Sequence, residues 1–319
     1  MTAPAGDGPG HDLPDLVGNT PLVRLTRLAP DPRVRLYAKL EGQNPGGSVK
    51  DRAALGMLRG ALDRGRIRPG DRVVEATSGN TGIALAMLAG RFDLHLTLLM
   101  PDDATEERVR TMRAFGAEVI LTPAERTIEH ARERADAMVA AGTHVSLNQF
   151  ANRDNPGAHE RTTGPEIVRD TDGTVTHFVS AMGTTGTITG VGRHLKKRLP
   201  GVTIVGAQPA DGAKIPGIRR WSPEFLPEIF DPSVVDRTVD VTEADAVATA
   251  RRLAAEEGVF AGTSSGGAAA VALRIVQEVV EAVGVRAGPD TDDGASPLAT
   301  IVFIACDRGD RYLSGDLFV

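Results

Sequence analysis

Between residues 72 and 147 this chain repeats one pattern: a short apolar run rich in β-branched residues, then a segment of helical length. A chain that alternates in this way satisfies its backbone and buries its apolar residues as a parallel sheet flanked by helices. Strands are expected at 72–76, 94–100, 118–121 and 145–147, with helices at 81–90, 106–115 and 125–141 between them. An Asn-rich stretch at 148–156 breaks the pattern and marks a passage between domains. After a helix at 157–168 the alternation resumes, with strand 177–181, helix 188–199 and strand 203–208 joined by a right-handed crossover. Helices at 243–257 and 265–283 and a last strand at 300–305 follow, and two strands at 21–25 and 35–40 precede the whole.

The composition excludes several functions. Among 319 residues the 36 Lys and Arg are outnumbered by 42 Asp and Glu, and aromatic residues make up 4%. Such a chain lacks both the basic surface and the stacking rings of a nucleic-acid binder. A single cysteine, Cys306, allows neither an internal disulfide nor a Cys-rich zinc site and suits a reducing compartment. The first ten residues are mostly Gly, Pro and Ala, without a signal-peptide pattern, and no apolar run reaches the roughly 20 residues of a membrane span. A cytoplasmic protein with a disordered tail at 1–11 is the expectation.

Three glycine- and hydroxyl-rich turns carry the chemistry. The first, Asn44-Pro45-Gly46-Gly47-Ser48-Val49-Lys50-Asp51, is a loop with a capping signal, since Ser48 followed by Asp51 opens a helix over 49–62. Lys50 then sits in the first turn, where the helix dipole disfavours a cation and suits an amine that attacks a carbonyl. Second, Thr77-Ser78-Gly79-Asn80-Thr81 lies between a strand and a helix and is built to take a carboxylate, unless Ser78 or Asn80 is an ordinary cap. Third, Gly183-Thr184-Thr185-Gly186-Thr187 joins another strand to another helix, as a phosphate cradle does, and is neither a Walker loop nor a dinucleotide fingerprint. A similar turn at 262–267 reads as a plain helix cap. A phosphate cradle, a reactive lysine and a carboxylate site together ask for pyridoxal 5′-phosphate, whose aldehyde takes a lysine and whose ring accepts electrons from an amino acid.

These residues resemble a known family. The series Glu41-Gly42-Gln43-Asn44-Pro45-Gly46-Gly47-Ser48-Val49-Lys50, Glu75-Ala76-Thr77-Ser78-Gly79-Asn80-Thr81-Gly82 and Gly183-Thr184-Thr185-Gly186-Thr187 is similar to that of the cysteine synthases, fold-type II pyridoxal-phosphate enzymes with a tryptophan synthase β-like architecture. Ile215-Pro216-Gly217-Ile218-Arg219-Arg220-Trp221 and Cys306-Asp307-Arg308-Gly309 look like the B branch of that family. The resemblance implies two α/β domains, each an open, mostly parallel sheet flanked by helices. A smaller domain is expected at 36–152, and a larger one at 12–35 and 153–319. It also implies Lys50 as the Schiff-base lysine and later acid/base, Asn80 on the cofactor's 3′-oxygen, residues 183–187 on its phosphate and Cys306 opposite its pyridine nitrogen. Thr77, Ser78, Gly79, Thr81 and Gln149 would grip the amino-acid carboxylate, and Gly217, Arg219 and Arg220 would line the substrate site.

The implied reaction is a β-replacement through an α-aminoacrylate, making cysteine from O-acetylserine and sulfide. The B branch is also associated with thiosulfate, which Arg219 and Arg220 are suited to hold. An O-phosphoserine-dependent enzyme, a serine or threonine dehydratase and a silent scaffold remain alternatives at this point. The family implies a homodimer. A longer Asp-rich insertion at 288–296 and a short C-terminus depart from its usual pattern.

Overall fold

The computed structural model describes residues 10–283 and 297–319; of the expected tail at 1–11, residues 1–9 lie outside the described residues, as does the insertion at 288–296. In chain order the elements are β1 (Leu22–Arg24), β2 (Val34–Leu40), α1 (Lys50–Asp63), β3 (Arg72–Ala76), α2 (Asn80–Ala89), β4 (His95–Pro101), α3 (Glu106–Ala114), β5 (Glu118–Thr122), α4 (Thr127–Ala140), α5 (Asp154–Arg161), α6 (Thr163–Asp170), β6 (His177–Ala181), α7 (Gly186–Arg198), β7 (Thr203–Pro209), β8 (Arg237–Val241), α8 (Glu243–Glu257), α9 (Thr263–Val283) and β9 (Ala299–Ala305). They form two compact units, one of residues up to Gly18 with Asn44–Ala158, the other of Asn19–Gln43 with His159–Val319.

The first unit is built on a three-stranded parallel sheet, β3-β4-β5. The strand expected at 145–147 is reduced to a single parallel bridge between Val73 and Val145. Every residue of β4 except His95 is buried, as helices on both faces of a parallel sheet require. Leu58 of α1, Leu85 and Leu88 of α2 and Leu98 of β4 meet in one core, and each buried leucine contributes roughly 1.5–3 kcal/mol. Leu13 and Val17 pack on the same core. The chain segment that precedes β1 thus belongs here and not to the larger domain, where residues from 12 onward are expected.

In the second unit six strands run in the order β1-β2-β9-β6-β7-β8, all parallel neighbours except the antiparallel edge pair β1 and β2. β2 pairs along its whole length with β9, from Val34 opposite Ala299 to Leu40 opposite Ala305. That ladder moves residues 36–43 out of the smaller domain, where they are expected, and into the larger one. All seven residues of β9 are buried. α8 and α9 pack so closely that a Cβ on Gly266 would lie 2.0 Å from the Ala246 carbonyl oxygen. β8 is a further strand, short and at the edge, where three exposed residues mask the apolar alternation that marks the others.

One expected helix is two. The segment 157–168 is divided between α5 and α6, with Thr162 off helical geometry at φ −126° and ψ −68°. Pro165 has no N–H to return to the Arg161 carbonyl, so the helix is interrupted one turn before it. No helix among the described residues is long and apolar enough to cross a membrane.

Lys39, wholly buried in β2, ties the second unit together. Its Nζ donates to the Thr20 carbonyl at 2.6 Å and lies 2.9 Å from Glu166 and 3.0 Å from Asp170. Removing the cation would leave the buried Glu166 unpaired beside Asp170, which is partly exposed and also meets Arg169, so Lys39→Ala should lose about 3 kcal/mol of stability. Urea denaturation followed by circular dichroism measures this directly.

Candidate active site

The loop that ends in Lys50 is fixed by its own polar groups. Asn44 accepts from the Gly18 N–H through its side-chain oxygen at 2.8 Å and donates through its amide to the Ser48 carbonyl at 3.2 Å. Gly47, at φ +80°, donates to the Asn44 carbonyl at 2.8 Å and closes the turn. Ser48 Oγ accepts from the Lys50 N–H at 3.2 Å and Asp51 reaches back to the Gly46 N–H at 2.5 Å; α1 begins after Val49 without a side-chain cap, so Ser48 is not the capping residue expected from the sequence. A Cβ on Gly46 would sit 2.7 Å from the Asp51 carboxylate oxygen. Lys50 is the first residue of α1 and half-buried, between the wholly buried Ser48 and Asp51.

β3 ends at Ala76 and runs directly into the second turn. The Thr77 N–H is held by the Leu99 carbonyl at 3.0 Å, and the Gly79 N–H makes a long bond to Thr77 Oγ1 at 3.4 Å. Gly79 is the residue before α2 and no side chain caps the helix there. The expected alternative, a cap from Ser78 or Asn80, is not what the turn does. First-turn N–H groups without a cap are suited to an anion. Thr81 donates its hydroxyl to Gln149 Oε1 at 2.7 Å, joining residues far apart in sequence. The backbone just before Gln149 is held by Glu75, a buried carboxylate near the end of β3. Glu75 Oε1 accepts from the N–H groups of Leu147 and Asn148, both at 2.7 Å, and from the Ser146 hydroxyl at 3.1 Å. Burial pushes the Glu75 carboxyl up from its ordinary value, against the pull of those backbone hydrogen bonds.

The second unit supplies the third turn. Thr185 stands before α7 with φ +70° and no capping bond, its hydroxyl spent on the Thr184 carbonyl at 2.5 Å. Gly183 lies against the segment 217–221. A Cβ there would be 2.8 Å from the Gly217 carbonyl oxygen, and the Trp221 indole N–H donates to the Gly183 carbonyl at 2.8 Å. The Arg219 N–H donates to the Met182 carbonyl at 2.8 Å, so this segment clamps the turn from one side. Thr187 is oriented by the buried His159, with Nε2 at 3.3 Å from its hydroxyl and Nδ1 at 2.9 Å from Thr163.

Arg219 and Arg220, expected to act as a pair, have different surroundings. Arg220 is committed to the Asp240 carboxylate and to the Pro209 carbonyl at 2.9 Å, with Asp211 at 3.3 Å. The Arg219 guanidinium lies over the Trp221 ring, 5.4 Å from its centroid. Cys306, half-buried, follows β9 directly, and its N–H donates to the Ser265 hydroxyl at 2.8 Å. The turn at 262–267, read as a cap, thus positions Cys306 as well as packing α9 on α8. Glu75, His159, Ser265 and Trp221 are the supporting residues that sequence reasoning did not assign. Trp221 stood out as the sole tryptophan and Glu75 opened a motif, whereas nothing marked His159.

Residues 13–291 match the family model described as pyridoxal-phosphate dependent enzyme. The chain belongs to this family. It is 54% identical over 308 residues to cysteine synthase B of Salmonella typhimurium, covering 97% of this chain and 96% of that protein. It is 40% identical over 308 residues to O-ureido-L-serine synthase of Streptomyces lavendulae, covering 94% of each. Among solved structures, O-acetylserine sulfhydrylase-type cysteine synthase of Entamoeba histolytica superposes with a TM-score of 0.86 at 34% identity, covering all of this chain and 93% of that one.

Pyridoxal 5′-phosphate is the cofactor of this family, and the residues present fit it. An uncapped helix start with a residue at φ +70°, threonine hydroxyls and a glycine with no room for Cβ form a cradle for a phosphate. Gly183→Ala should push residues 183–187 and 217–221 apart. It should weaken cofactor affinity by about tenfold or more, some 1.4 kcal/mol, read as cofactor retained after dialysis. A second expectation concerns pH. Because the folded-state pKa of Glu75 is raised above its unfolded value of 4.5, its contribution is fully present below that value and is lost as pH rises through the folded pKa. The stability of Glu75→Gln relative to wild type should therefore increase from acid to neutral pH, which paired thermal melts would detect.

Proposed function

We propose that this chain makes L-cysteine from O-acetyl-L-serine and sulfide with pyridoxal 5′-phosphate, as a β-replacement in which Lys50 is the acid/base. The observation that carries it is the fixed placement of Lys50 at the first residue of α1, in a chain 54% identical along nearly its full length to a cysteine synthase B. When bound, the cofactor supplies an aldehyde for amino groups and a ring that takes up electron density from Cα.

The chain's own residues do the rest. The N–H groups and hydroxyls of Gly183, Thr184, Thr185, Gly186 and Thr187 hold the phosphate. Asn80 would hydrogen-bond the cofactor's 3′-oxygen, and Cys306 would face its pyridine nitrogen with a thiol, too weak an acceptor to keep the ring protonated. Thr77, Ser78, Gly79, Thr81 and Gln149 hold the substrate carboxylate at the start of α2. Lys50 takes the proton from Cα as the Cβ–oxygen bond breaks and acetate leaves. It returns that proton to Cα after sulfur has bonded to Cβ. Ser48 and Asp51 keep the backbone under Lys50 still while its amine moves between these tasks.

Thiosulfate is a further sulfur donor in this reading, and Arg219, beside Gly217, is the residue that takes its oxygens. Arg220, bound to Asp240, holds the segment in place instead. The active assembly is a homodimer, which analytical ultracentrifugation tests.

Lys50→Ala should lower kcat by on the order of 10²–10⁴, the usual size of a general acid/base contribution, while the protein still takes up cofactor; full turnover in that variant would remove Lys50 from the mechanism. Arg219→Ala should impair thiosulfate more than sulfide, which offers no oxygens to grip. Arg220→Ala should impair both alike, because it acts through the segment that clamps Gly183.

A further inference from the structure

One buried group in the first unit is used by no step above. Glu75, 6% exposed, is the fourth residue of β3. No cation pairs with it among the described residues, and the nearby charge that acts on it, Asp136, repels it. An unpaired buried carboxylate is costly to keep, so its hydrogen bonds indicate what it does. All three go to one stretch of chain, residues 146–148.

That stretch has a backbone that needs holding. Asn148 lies at φ +51°, in the left-handed region where a side chain is disfavoured. Its carbonyl neighbours are tied down as well, Leu147 by the Asn152 amide at 2.8 Å and Gln149 by the Asn155 amide at 2.8 Å. The outcome of these bonds is one contact, the 2.7 Å hydrogen bond from Thr81 to Gln149. With its oxygen engaged there, the Gln149 amide nitrogen keeps its donors for an anion. β3 therefore governs both sides of the carboxylate site. It leads straight into the turn 77–80, and through Glu75 it sets the backbone that carries Gln149.

We infer that Glu75 is a positioning residue for the substrate carboxylate: its Oε1 fixes residues 146–148 so that Gln149 meets Thr81, and the place of that oxygen matters while its charge does not. The inference rests on the reading that Thr81 and Gln149 hold the amino-acid carboxylate. Its three partners are neutral donors, which an amide oxygen at the same position would satisfy equally in number. Shortening the side chain by one methylene keeps the charge and withdraws the oxygen.

The test uses the holoenzyme and measures kcat, KM for O-acetylserine, KM for sulfide and cofactor content in Glu75→Asp, Glu75→Gln, Glu75→Ala, Gln149→Ala and the double variant Glu75→Ala with Gln149→Ala. Glu75→Asp and Glu75→Ala should raise KM for O-acetylserine by about tenfold, with cofactor content and KM for sulfide unchanged, the pattern of lost ground-state binding. Glu75→Gln should stay within about twofold of wild type, and the double variant should be no worse than Gln149→Ala, because residues acting through one contact are not additive. Should Glu75→Ala fail to fold, the order of Asp below Gln carries the test. A wild-type KM in Glu75→Asp beside an impaired Glu75→Gln, full additivity in the double variant, or equal losses of cofactor and both substrates would each overturn the inference. A wild-type KM in Gln149→Ala would instead overturn the carboxylate site itself. An impaired Gln149→Ala beside a normal Glu75→Asp and Glu75→Ala would overturn the role of Glu75 alone.

Discussion

Where a parallel strand runs directly into a helix, the helix begins with N–H groups that its own turns cannot satisfy, and what is done with them decides what the fold can bind. In this chain they are handled in two ways. α8 is closed by Thr242, whose hydroxyl accepts from the Asp245 N–H at 3.0 Å, and it ends on Gly258 at φ +68°, a helix built only for packing. α2 and α7, like α1, α3, α4 and α6, start without a side-chain cap; what sets these two apart is that they follow β3 and β6 directly on turns made of Gly, Ser, Thr and Asn. In the proposed reading these two starts take anions, one a carboxylate and the other a phosphate.

Both turns are held from outside by residues distant in sequence. Residues 183–187 are braced by the Trp221 indole, the Arg219 backbone and His159. Residues 77–81 are braced by the Leu99 carbonyl and, through Thr81, by Gln149 and the Glu75 network. Lys50 is placed by the loop before α1, where Ser48 Oγ accepts from its N–H and Asp51 accepts from the Gly46 N–H.

Much of this was legible in the residues. The alternation of strand and helix gave the α/β class and most of the elements within one or two residues, and each glycine-rich turn fell where a strand meets a helix. Limits appear wherever the answer depends on a partner distant in sequence. Whether residues 36–43 join the smaller or the larger unit depends on the pairing of β2 with β9, 265 residues further along the chain. Arg219 and Arg220 look alike in sequence, and only the fold brings Asp240 to one of them. Glu75 carries no hint of Leu147 and Asn148. The helix break at Thr162 was readable from Pro165, a local signal that the helical periodicity around it outweighed.

The most direct measurement of the central claim is the visible absorption of the purified holoenzyme on addition of O-acetylserine and, separately, O-phosphoserine, each followed by sulfide. A cofactor band that shifts rapidly with O-acetylserine and returns on addition of sulfide, with a slower or absent response to O-phosphoserine, is the predicted result. A band indifferent to O-acetylserine, or the absence of any band after the cofactor is supplied, would contradict the assignment of this chain as a cysteine synthase.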